Sequence, residues 1–294
     1  MSYFYSKLNS IAKSTDIYLK NVFLKQKGRS KLIKSMKYGL FSGGKRFRSA
    51  ILVNTGKIFE TDYKELIIIG AAVECIHSYS LIHDDLPSMD NDDFRRGKLS
   101  VHKKFNEFTA ILSGNSLLTL AFEILSGKEL KVSQKNKNEL IRVLSNCSGS
   151  FGLAGGQYSD LIFENKKASQ KNIINMQRQK TGELFAFCCE SVAIINGENK
   201  KIRNKLRKIG ADIGLLFQIT DDLIDYKGDS KIVGKPTKVD AKKGKATLVS
   251  LLGYNKTLNF AKKLKKKLDQ QIRKLGKKSN DLLESVEFIL NRKF

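Results

Sequence analysis

Aspartates and arginines are concentrated between Ser80 and Gly97, in the sequence S-L-I-H-D-D-L-P-S-M-D-N-D-D-F-R-R-G. Two arginines, Arg95 and Arg96, follow five aspartates that fall within ten positions: Asp84, Asp85, Asp90, Asp92 and Asp93. Carboxylates at this density repel one another unless a cation lies among them, and Mg²⁺ is usually held by one or two carboxylates together with phosphates and water. Because guanidinium groups pair bidentately with phosphate oxygens, the segment predicts a site for a metal-bridged phosphate.

A second acidic cluster, D-D-L-I-D, covers Asp221–Asp225. An isolated acidic run is also typical of a solvated loop with its own salt bridges, but two such clusters are harder to explain in that way. Asp221 and Asp225 are four residues apart, so on a helix they share a face and reach one set of ligands. We therefore predict a cavity that has the two clusters on facing walls and holds a polyphosphate and Mg²⁺ between them.

Each cluster lies at the C-terminal end of an apolar run with helical character. The first run, L-I-I-I-G-A-A-V-E-C-I-H-S-Y-S-L-I-H, covers Leu66–His83, and the second, I-G-A-D-I-G-L-L-F-Q-I-T, covers Ile209–Thr220. Acidic side chains at the C-terminal end of a helix oppose its macrodipole, and a mostly apolar helix is normally buried. Because this placement lowers stability, it favours a functional interpretation of the aspartates.

The composition predicts an all-α protein with a single domain. The 294 residues include only two prolines, Pro87 and Pro236, and no tryptophan. Alternating patterns typical of strands are scarce, and segments with 3.6-residue periodicity dominate. Nothing in the middle of the chain resembles a linker, so we predict one helical domain over residues 1–294, with the N-terminal helices broken near Gly28.

The formal charge of +25, from 54 basic and 29 acidic residues, raises the hypothesis that the protein binds nucleic acid or a membrane surface. The lysines, however, are spread along amphipathic segments such as residues 255–275, where the apolar stripe consists of Leu264, Leu268, Ile272 and Leu275. A solvated helix face explains the lysines better. We therefore expect neither nucleic acid nor a membrane as a partner.

Cysteine usage and the N-terminal segment predict a cytoplasmic protein. The four cysteines, Cys75, Cys147, Cys188 and Cys189, show neither a C-x-x-C motif nor the spacing of a disulfide framework. Small buried thiols in a reducing compartment are the expected form. The first residues lack the apolar region of a signal peptide, and no uninterrupted apolar run reaches the ~18 residues of a membrane span.

The motifs D-D-L-P-S-M-D with R-R-G, and F-Q-I-T-D-D-L-I-D, resemble the two aspartate-rich motifs of the trans-isoprenyl diphosphate synthases. The resemblance runs from Gly43 to Leu252 and is closest to the bacterial farnesyl diphosphate synthases. It implies the isoprenoid synthase fold, a helical bundle with a central cavity between two aspartate-rich helices. It also implies a Mg²⁺-dependent prenyltransferase that is homodimeric and acts on small diphosphates.

The resemblance further implies roles for individual residues. Three Mg²⁺ ions per site would be held, with substrate bound, by Asp84, Asp85, Asp90, Asp221, Asp222 and Asp225. Isopentenyl diphosphate would be bound by Lys45, Arg48, His77 and Arg96. The allylic diphosphate would be bound by Arg95, Lys180, Thr181 and Gln218. Catalysis would depend on Asp84, Asp85, Lys180, Asp221 and Asp222, and a lid rich in glycine and lysine would contribute Lys235 and Lys245.

The implied reaction condenses isopentenyl diphosphate with dimethylallyl and then geranyl diphosphate to give (2E,6E)-farnesyl diphosphate. Tyr79 lies five residues before Asp84, about 7.5 Å along a helix axis, and an aromatic residue there resembles the C15-producing members. Tyr79 is thus the expected floor of the product pocket, although Ser80 is better aligned with Asp84 on the helix.

Three alternatives stay open at this point. A geranylgeranyl diphosphate synthase would have the same site with a deeper pocket. A terpene cyclase would have less need for contacts to isopentenyl diphosphate, and a basic helical protein that binds nucleic acid would not need the aspartates.

Three residues also depart from the family pattern: Leu99 and Ser100 replace the usual Pro-Thr, and Asn115 stands where aspartate is common. These departures concern loop geometry and helix capping rather than the metal ligands.

Overall fold

The computed structural model describes residues 2–25, 30–227 and 244–292. Two compact units make up the chain: the first comprises residues 1–53 and 61–141, and the second comprises residues 54–60 and 142–294. The predicted single domain over residues 1–294 stays a prediction. The all-α class is confirmed, because helices account for nearly all regular structure within the described ranges.

Helices of the first unit surround one buried helix. The elements in chain order are α1 (Ser2–Lys25), α2 (Lys31–Leu40), α3 (Phe47–Ile58, whose last residues belong to the second unit), α4 (Tyr63–Asp84), β1 (Phe94–Arg95), β2 (Lys98–Leu99), α5 (Val101–Lys104), α6 (Glu107–Ser126) and the first half of α7 (Gln134–Ser148). The predicted break in the N-terminal helices falls between α1 and α2. Gly28 itself lies outside the described residues.

The central helix of the first unit is α4, which packs against α1, α2 and α6. Asp62 caps its N-terminus by accepting hydrogen bonds from the backbone N–H groups of Lys64 and Glu65. Fifteen of its residues are buried, as the apolar composition predicts. The helix ends at Asp84, so the first acidic cluster begins at its C-terminal end, as expected.

Only one face of α6 is buried, although its apolar composition suggests a helix at the centre of the core. Phe108, Ile111 and Leu112 are exposed, whereas Leu117 and Ala121 are buried.

By length and composition alone, α4 and α6 are both apolar enough to cross a membrane. This finding corrects the expectation that no segment reaches that length. In α4, 78% of the apolar window is buried inside the protein, which is typical of a core helix.

The segment after the first acidic cluster forms a short antiparallel hairpin that the helical interpretation did not predict. In this hairpin Phe94 pairs with Leu99, and Arg95 pairs with Lys98. Leu99 accepts a hydrogen bond through its carbonyl from the Tyr38 hydroxyl at 2.7 Å. Ser100 occupies the N-cap position of α5, but its hydroxyl donates to the Asp93 carbonyl rather than capping the helix.

Two long helices dominate the second unit. Its elements are the second half of α7, α8 (Leu153–Phe163), α9 (Gln170–Gln177), a π-helical segment (Arg178–Gly182), α10 (Glu183–Ile195), α11 (Lys200–Lys227), α12 (Leu248–Leu252), α13 (Tyr254–Arg273), a 3₁₀ turn (Lys277–Ser279) and α14 (Asn280–Asn291). Helix α11 packs against α10 and α13. On α13, Leu264, Leu268 and Ile272 are buried, which confirms most of the predicted stripe.

Close backbone packing holds the π-helical segment in place. A Cβ atom added to Gly156 of α8 would overlap the backbone nitrogen of Lys180. On the other side, a Cβ atom added to Gly214 of α11 would lie 2.6 Å from the Cα of Gly182. The segment therefore lies between two helices that approach it without side chains. Single π-helical turns inside α-helices occur frequently at functional sites.

All four cysteines are buried free thiols, as predicted. Burial raises the pKa of the Cys75 and Cys189 thiols, so both are uncharged at neutral pH.

Candidate active site

In the first unit, two neighbouring aspartates stand at the end of α4 with different environments. Asp84 is half-buried, whereas Asp85 is only 2% exposed and is the C-cap residue. The chain then turns back on this end, because the backbone N–H of Asp90 donates to the Asp84 carbonyl at 2.8 Å and that of Asp92 donates to the Asp85 carbonyl at 3.2 Å. These bonds hold the acidic segment over the carbonyl end of the helix.

Arg95 neutralises the buried carboxylate. Its Nε donates to Asp85 Oδ1 at 2.9 Å, its Nη2 donates to the same oxygen, and a longer contact of 3.6 Å reaches Asp92. Burial raises the pKa of Asp85, and the charge of Arg95 opposes that rise. Arg95, expected to bind the allylic diphosphate, is thus held beside a predicted metal ligand.

The G-G-K-R-F-R turn brings Arg96 against the backbone that precedes α3. Gly43 and Gly44 have φ values of +109° and +115°, which strongly favour glycine. The Arg96 guanidinium donates to the Gly43 carbonyl, and a Cβ atom on Gly44 would lie 2.5 Å from Arg96 Nη1. Two predicted ligands of isopentenyl diphosphate, Lys45 and Arg96, therefore belong to one local structure.

The three cations of this turn, Lys45, Arg46 and Arg48, do not all project outwards, although their close spacing in the sequence suggests that they would. Arg46 is 4% exposed and donates from Nε to Asp16 at 2.8 Å and from Nη2 to the Leu40 carbonyl at 2.6 Å. Its third contact is an ion pair of 3.6 Å with Glu74. Arg46 is therefore a structural residue that fixes the turn, and the half-buried Lys45 and Arg48 are the candidates for anion binding.

His77 lies in a positive field on α4. Burial and the charges of Arg48, Arg96, Arg46 and Arg95 hold the pKa of His77 well below its usual value. The imidazole is therefore neutral at physiological pH and adds no positive charge to that of the surrounding arginines. Several guanidinium groups around a neutral hydrogen-bonding ring are suited to a polyanionic ligand such as a diphosphate.

The two residues predicted to set product length have different surroundings. Ser80 is 6% exposed, and its hydroxyl donates to the His77 carbonyl at 3.0 Å. Tyr79 is half-buried, and its ring meets that of His83 edge-to-face with a centroid distance of 5.4 Å. Burial and the negative charge of Asp84 raise the pKa of the Tyr79 phenol, so the hydroxyl stays protonated. Of the two, Tyr79 has the side chain that is more accessible to a ligand.

A polar pocket in the second unit contains four of the site residues predicted there. Lys180 extends from the π-helical segment and forms a 2.6 Å ion pair with Asp160 of α8. Lys245 lies 3.6 Å from the same Asp160 oxygen. Lys180, Lys245, Gln218 and Asp222 all line this pocket, and the two lysines give it the cations that a diphosphate requires.

Asp222 is the hydrogen-bonded carboxylate of the pocket. It is 4% exposed, and it accepts bonds from the side-chain amides of Gln177 at 2.7 Å and Gln218 at 2.9 Å. Thr181 in turn donates to the Gln218 side-chain oxygen at 2.8 Å. The predicted group Thr181, Gln218 and Asp222 is therefore one connected network, which orients the Asp222 carboxylate.

The other two aspartates of the second cluster lie on α11 at different depths. The Asp221 side chain is 43% exposed and forms a 2.8 Å ion pair with Arg292, whereas Asp225 is 6% exposed. Arg292 also donates to the Phe217 carbonyl at 2.6 Å and stacks on the Phe217 ring, 3.6 Å from its centroid. One predicted metal ligand is therefore paired with an arginine near the C-terminus.

The donor chemistry fits Mg²⁺. All six predicted ligands supply carboxylate oxygens, the donors this ion prefers. Within residues 2–25, 30–227 and 244–292, no three His, Cys, Asp or Glu side chains are grouped closely enough to form a complete metal site. Mg²⁺ commonly takes only one or two protein carboxylates and completes its shell with water and phosphate, so the aspartates suit a metal that arrives with a diphosphate.

Three residues that contact predicted site residues were not themselves predicted. They are Asp160, which pairs with Lys180, Gln177, which donates to Asp222, and Arg292, which pairs with Asp221. The sequence G-G-Q-Y-S-D-L already placed Asp160 beside glycines that permit close approach of helices, which was the available signal. Gln177 and Arg292 gave no such signal. Lys235, predicted for the lid, lies outside the described residues.

Comparisons with known proteins agree with these observations. A family model described as polyprenyl synthetase matches residues 29–286. Farnesyl diphosphate synthase of Escherichia coli is 39% identical over 266 residues, which is 89% of both chains. Among solved structures, an FPP/GFPP synthase from Zymomonas mobilis is 38% identical with a TM-score of 0.87, covering 98% of this chain and 100% of that one. A geranyltransferase from Helicobacter pylori, complexed with magnesium and isoprenyl diphosphate, is 31% identical with a TM-score of 0.84, covering 99% and 96%.

Proposed function

The chain belongs to the polyprenyl synthetase family and has its all-α isoprenoid synthase fold, and we propose that it is a prenyltransferase that makes (2E,6E)-farnesyl diphosphate. It condenses isopentenyl diphosphate with dimethylallyl diphosphate and then with geranyl diphosphate. The observation that carries the proposal is the polar pocket of the second unit, where Lys180 and Lys245 share Asp160 beside the oriented carboxylate of Asp222. Carboxylates for a divalent cation and lysines for a diphosphate are the groups that this reaction requires.

Bound Mg²⁺, three ions per site in this proposal, would supply charge that stabilises the departing diphosphate. Its ligands are Asp84, Asp85 and Asp90 from the first cluster and Asp221, Asp222 and Asp225 from the second. The H. pylori relative with magnesium and isoprenyl diphosphate supports this choice of metal. Both clusters are expected to be essential for turnover.

Cationic side chains orient the two substrates. Lys180, Thr181, Gln218, Lys245 and Arg95 bind the allylic diphosphate, and the lysines stabilise negative charge that develops as its carbon–oxygen bond breaks. Isopentenyl diphosphate is bound by Lys45, Arg48, His77 and Arg96. The low pKa of His77 keeps its ring neutral, so it acts as a hydrogen-bond partner rather than as a further cation. No protein nucleophile takes part, because the double bond of isopentenyl diphosphate attacks the allylic cation directly.

Product length in this proposal is set by Tyr79, whose half-buried ring stops the growing chain at C15. The alternative is a longer product from the same site, and the Z. mobilis relative named an FPP/GFPP synthase shows that this fold accommodates more than one length. A terpene cyclase is disfavoured, because such an enzyme would not require the arginine-rich surroundings of His77.

The proposal includes a homodimer that forms through the exposed face of α6. Phe108, Ile111 and Leu112 are 66%, 42% and 49% exposed there, and a contiguous apolar face of this kind marks an interaction site. A single Leu112→Glu substitution would be expected to convert dimer to monomer in size-exclusion chromatography with light scattering.

The cytoplasmic location and the absence of nucleic-acid or membrane partners stay predictions from the sequence.

One assay tests the proposal directly. The protein is incubated with isopentenyl diphosphate, Mg²⁺ and dimethylallyl, geranyl or farnesyl diphosphate in turn, and the products are separated by chain length. C15 is expected from the first two starters, and Asp222→Ala is expected to be inactive. Absence of any elongation with all three starters would refute the prenyltransferase, and C20 as the main product would replace the farnesyl assignment with the geranylgeranyl one.

A further inference from the structure

His83 lies between Tyr79 and the backbone of α6. Its ring meets the Tyr79 ring at an interplanar angle of 89°, in the favourable edge-to-face arrangement. On its other side, His83 Nε2 is 3.0 Å from the carbonyl oxygen of Ile111. Because a carbonyl can only accept, Nε2 carries the proton and donates this bond. The imidazole is therefore fixed at one end by backbone, and it presents its other edge to the phenol ring.

A glycine in α6, Gly114, leaves room for the His83 ring. Gly114 follows Ile111 by three residues, nearly one helical turn. A Cβ atom added to Gly114 would overlap the His83 imidazole at Nε2 and Cδ2. Any larger residue at position 114 would push the ring away from the Ile111 carbonyl. The bond between His83 and α6 thus depends on glycine at this place.

We infer that His83 is a positioning residue that fixes the Tyr79 ring and thereby limits product length. The inference rests on the proposed function and on Tyr79 as the floor of the pocket. Tyr79 and His83 are four residues apart and share a helix face, so the imidazole supports the phenol from the side nearer Asp84. An edge-to-face pair of this type shifts a two-state population by about 2- to 12-fold. Without it, the phenol ring swings aside more often and admits a C20 chain.

The test is a double-mutant cycle read out as the ratio of C20 to C15 product. Tyr79→Ala, His83→Ala and the double variant are compared with wild type under identical starter and Mg²⁺ concentrations. The ratio is internal to each reaction, so it is independent of the amount of active enzyme and of any loss of kcat caused by a change beside Asp84. Gly114→Ala displaces the ring without removing it, and Lys64→Ala, exposed in the first turn of α4, is the control.

His83→Ala and Gly114→Ala are expected to raise the C20 to C15 ratio by about 2- to 12-fold, and Lys64→Ala is expected to leave it unchanged. The double variant should give the same ratio as Tyr79→Ala alone, because His83 acts through Tyr79. The inference is overturned if Tyr79→Ala lengthens the product while His83→Ala and Gly114→Ala do not, or if the effects of Tyr79→Ala and His83→Ala multiply. The proposed function fails separately, if wild type makes no elongated product or if Tyr79→Ala leaves the distribution unchanged.

Discussion

Removal of Arg292 is expected to strengthen the binding of Mg²⁺ to the second acidic cluster. The guanidinium forms a 2.8 Å ion pair with Asp221, and a metal ion that takes this carboxylate must displace it. The arginine side chain is 6% exposed, but that of Asp221 is 43% exposed, so solvent screens the pair. Exposed ion pairs contribute about 0.2–1 kcal/mol. We take the upper end because the arginine is buried, and about 1 kcal/mol corresponds to a fivefold change in affinity.

The measurement is calorimetric titration of substrate-free protein with Mg²⁺, in which Arg292→Ala should lower the apparent dissociation constant about fivefold. Arg273→Ala is the control for a general loss of positive charge, because Arg273 is exposed at the end of α13 and carries the same charge. Arg292→Lys keeps the charge but loses the planar stack on Phe217, so its constant should lie between wild type and Arg292→Ala. An unchanged constant in Arg292→Ala, or an equal shift in Arg273→Ala, would refute the competition between Arg292 and the metal.

Three further predictions concern other parts of the site. His77→Asn should reduce the loss of the free energy of unfolding that the wild type shows below pH 6.5, as measured by urea titrations at a series of pH values. The pKa of His77 is lowered in the folded protein. As pH falls through about 6.5, only the unfolded chain therefore gains a proton at this residue, and the fold loses stability. Gly156→Ala should destabilise the fold by about 1–3 kcal/mol in thermal melts, since its Cβ meets backbone at Lys180; Ala154→Ser on the exposed side is the control. Arg48→Ala should chiefly raise KM for isopentenyl diphosphate, whereas Lys180→Ala should chiefly impair the allylic substrate; equal effects of both on both substrates would contradict the partition.

The sequence predicted the helices that carry the acidic clusters because their signals are local. Both apolar runs are long enough to identify buried helices without knowledge of their neighbours, and α4 ends at Asp84. Glycine inside a helical pattern is a local signal as well, and Gly182 ends the π-helical segment that contains Lys180 and Thr181. The fold class followed from the same periodicity. These features depend on residues that are close together along the chain.

Residues whose environment is set by distant partners could not be predicted. Lys45, Arg46 and Arg48 are alike in sequence, yet Arg46 turns inwards because Asp16 and Glu74 lie within reach. Arg292 reaches Asp221, 71 positions earlier in the chain, and periodicity carries no information about such a contact. Composition also did not reveal that one face of α6 is exposed. A helix that is apolar on both faces has the same composition whether one face or both faces are buried.

An arginine neutralises one aspartate of each acidic cluster within its own unit. Arg95 pairs with the buried Asp85, and Arg292 pairs with Asp221. The Arg95–Asp85 pair explains how carboxylates can accumulate at the C-terminal end of α4, where the helix dipole disfavours them. Guanidinium groups also have the planar geometry that binds phosphate. Under the proposed function, an arriving diphosphate would compete with the carboxylate for each arginine. A carboxylate released in this way would be available to a metal, so we expect the two ligands to bind cooperatively.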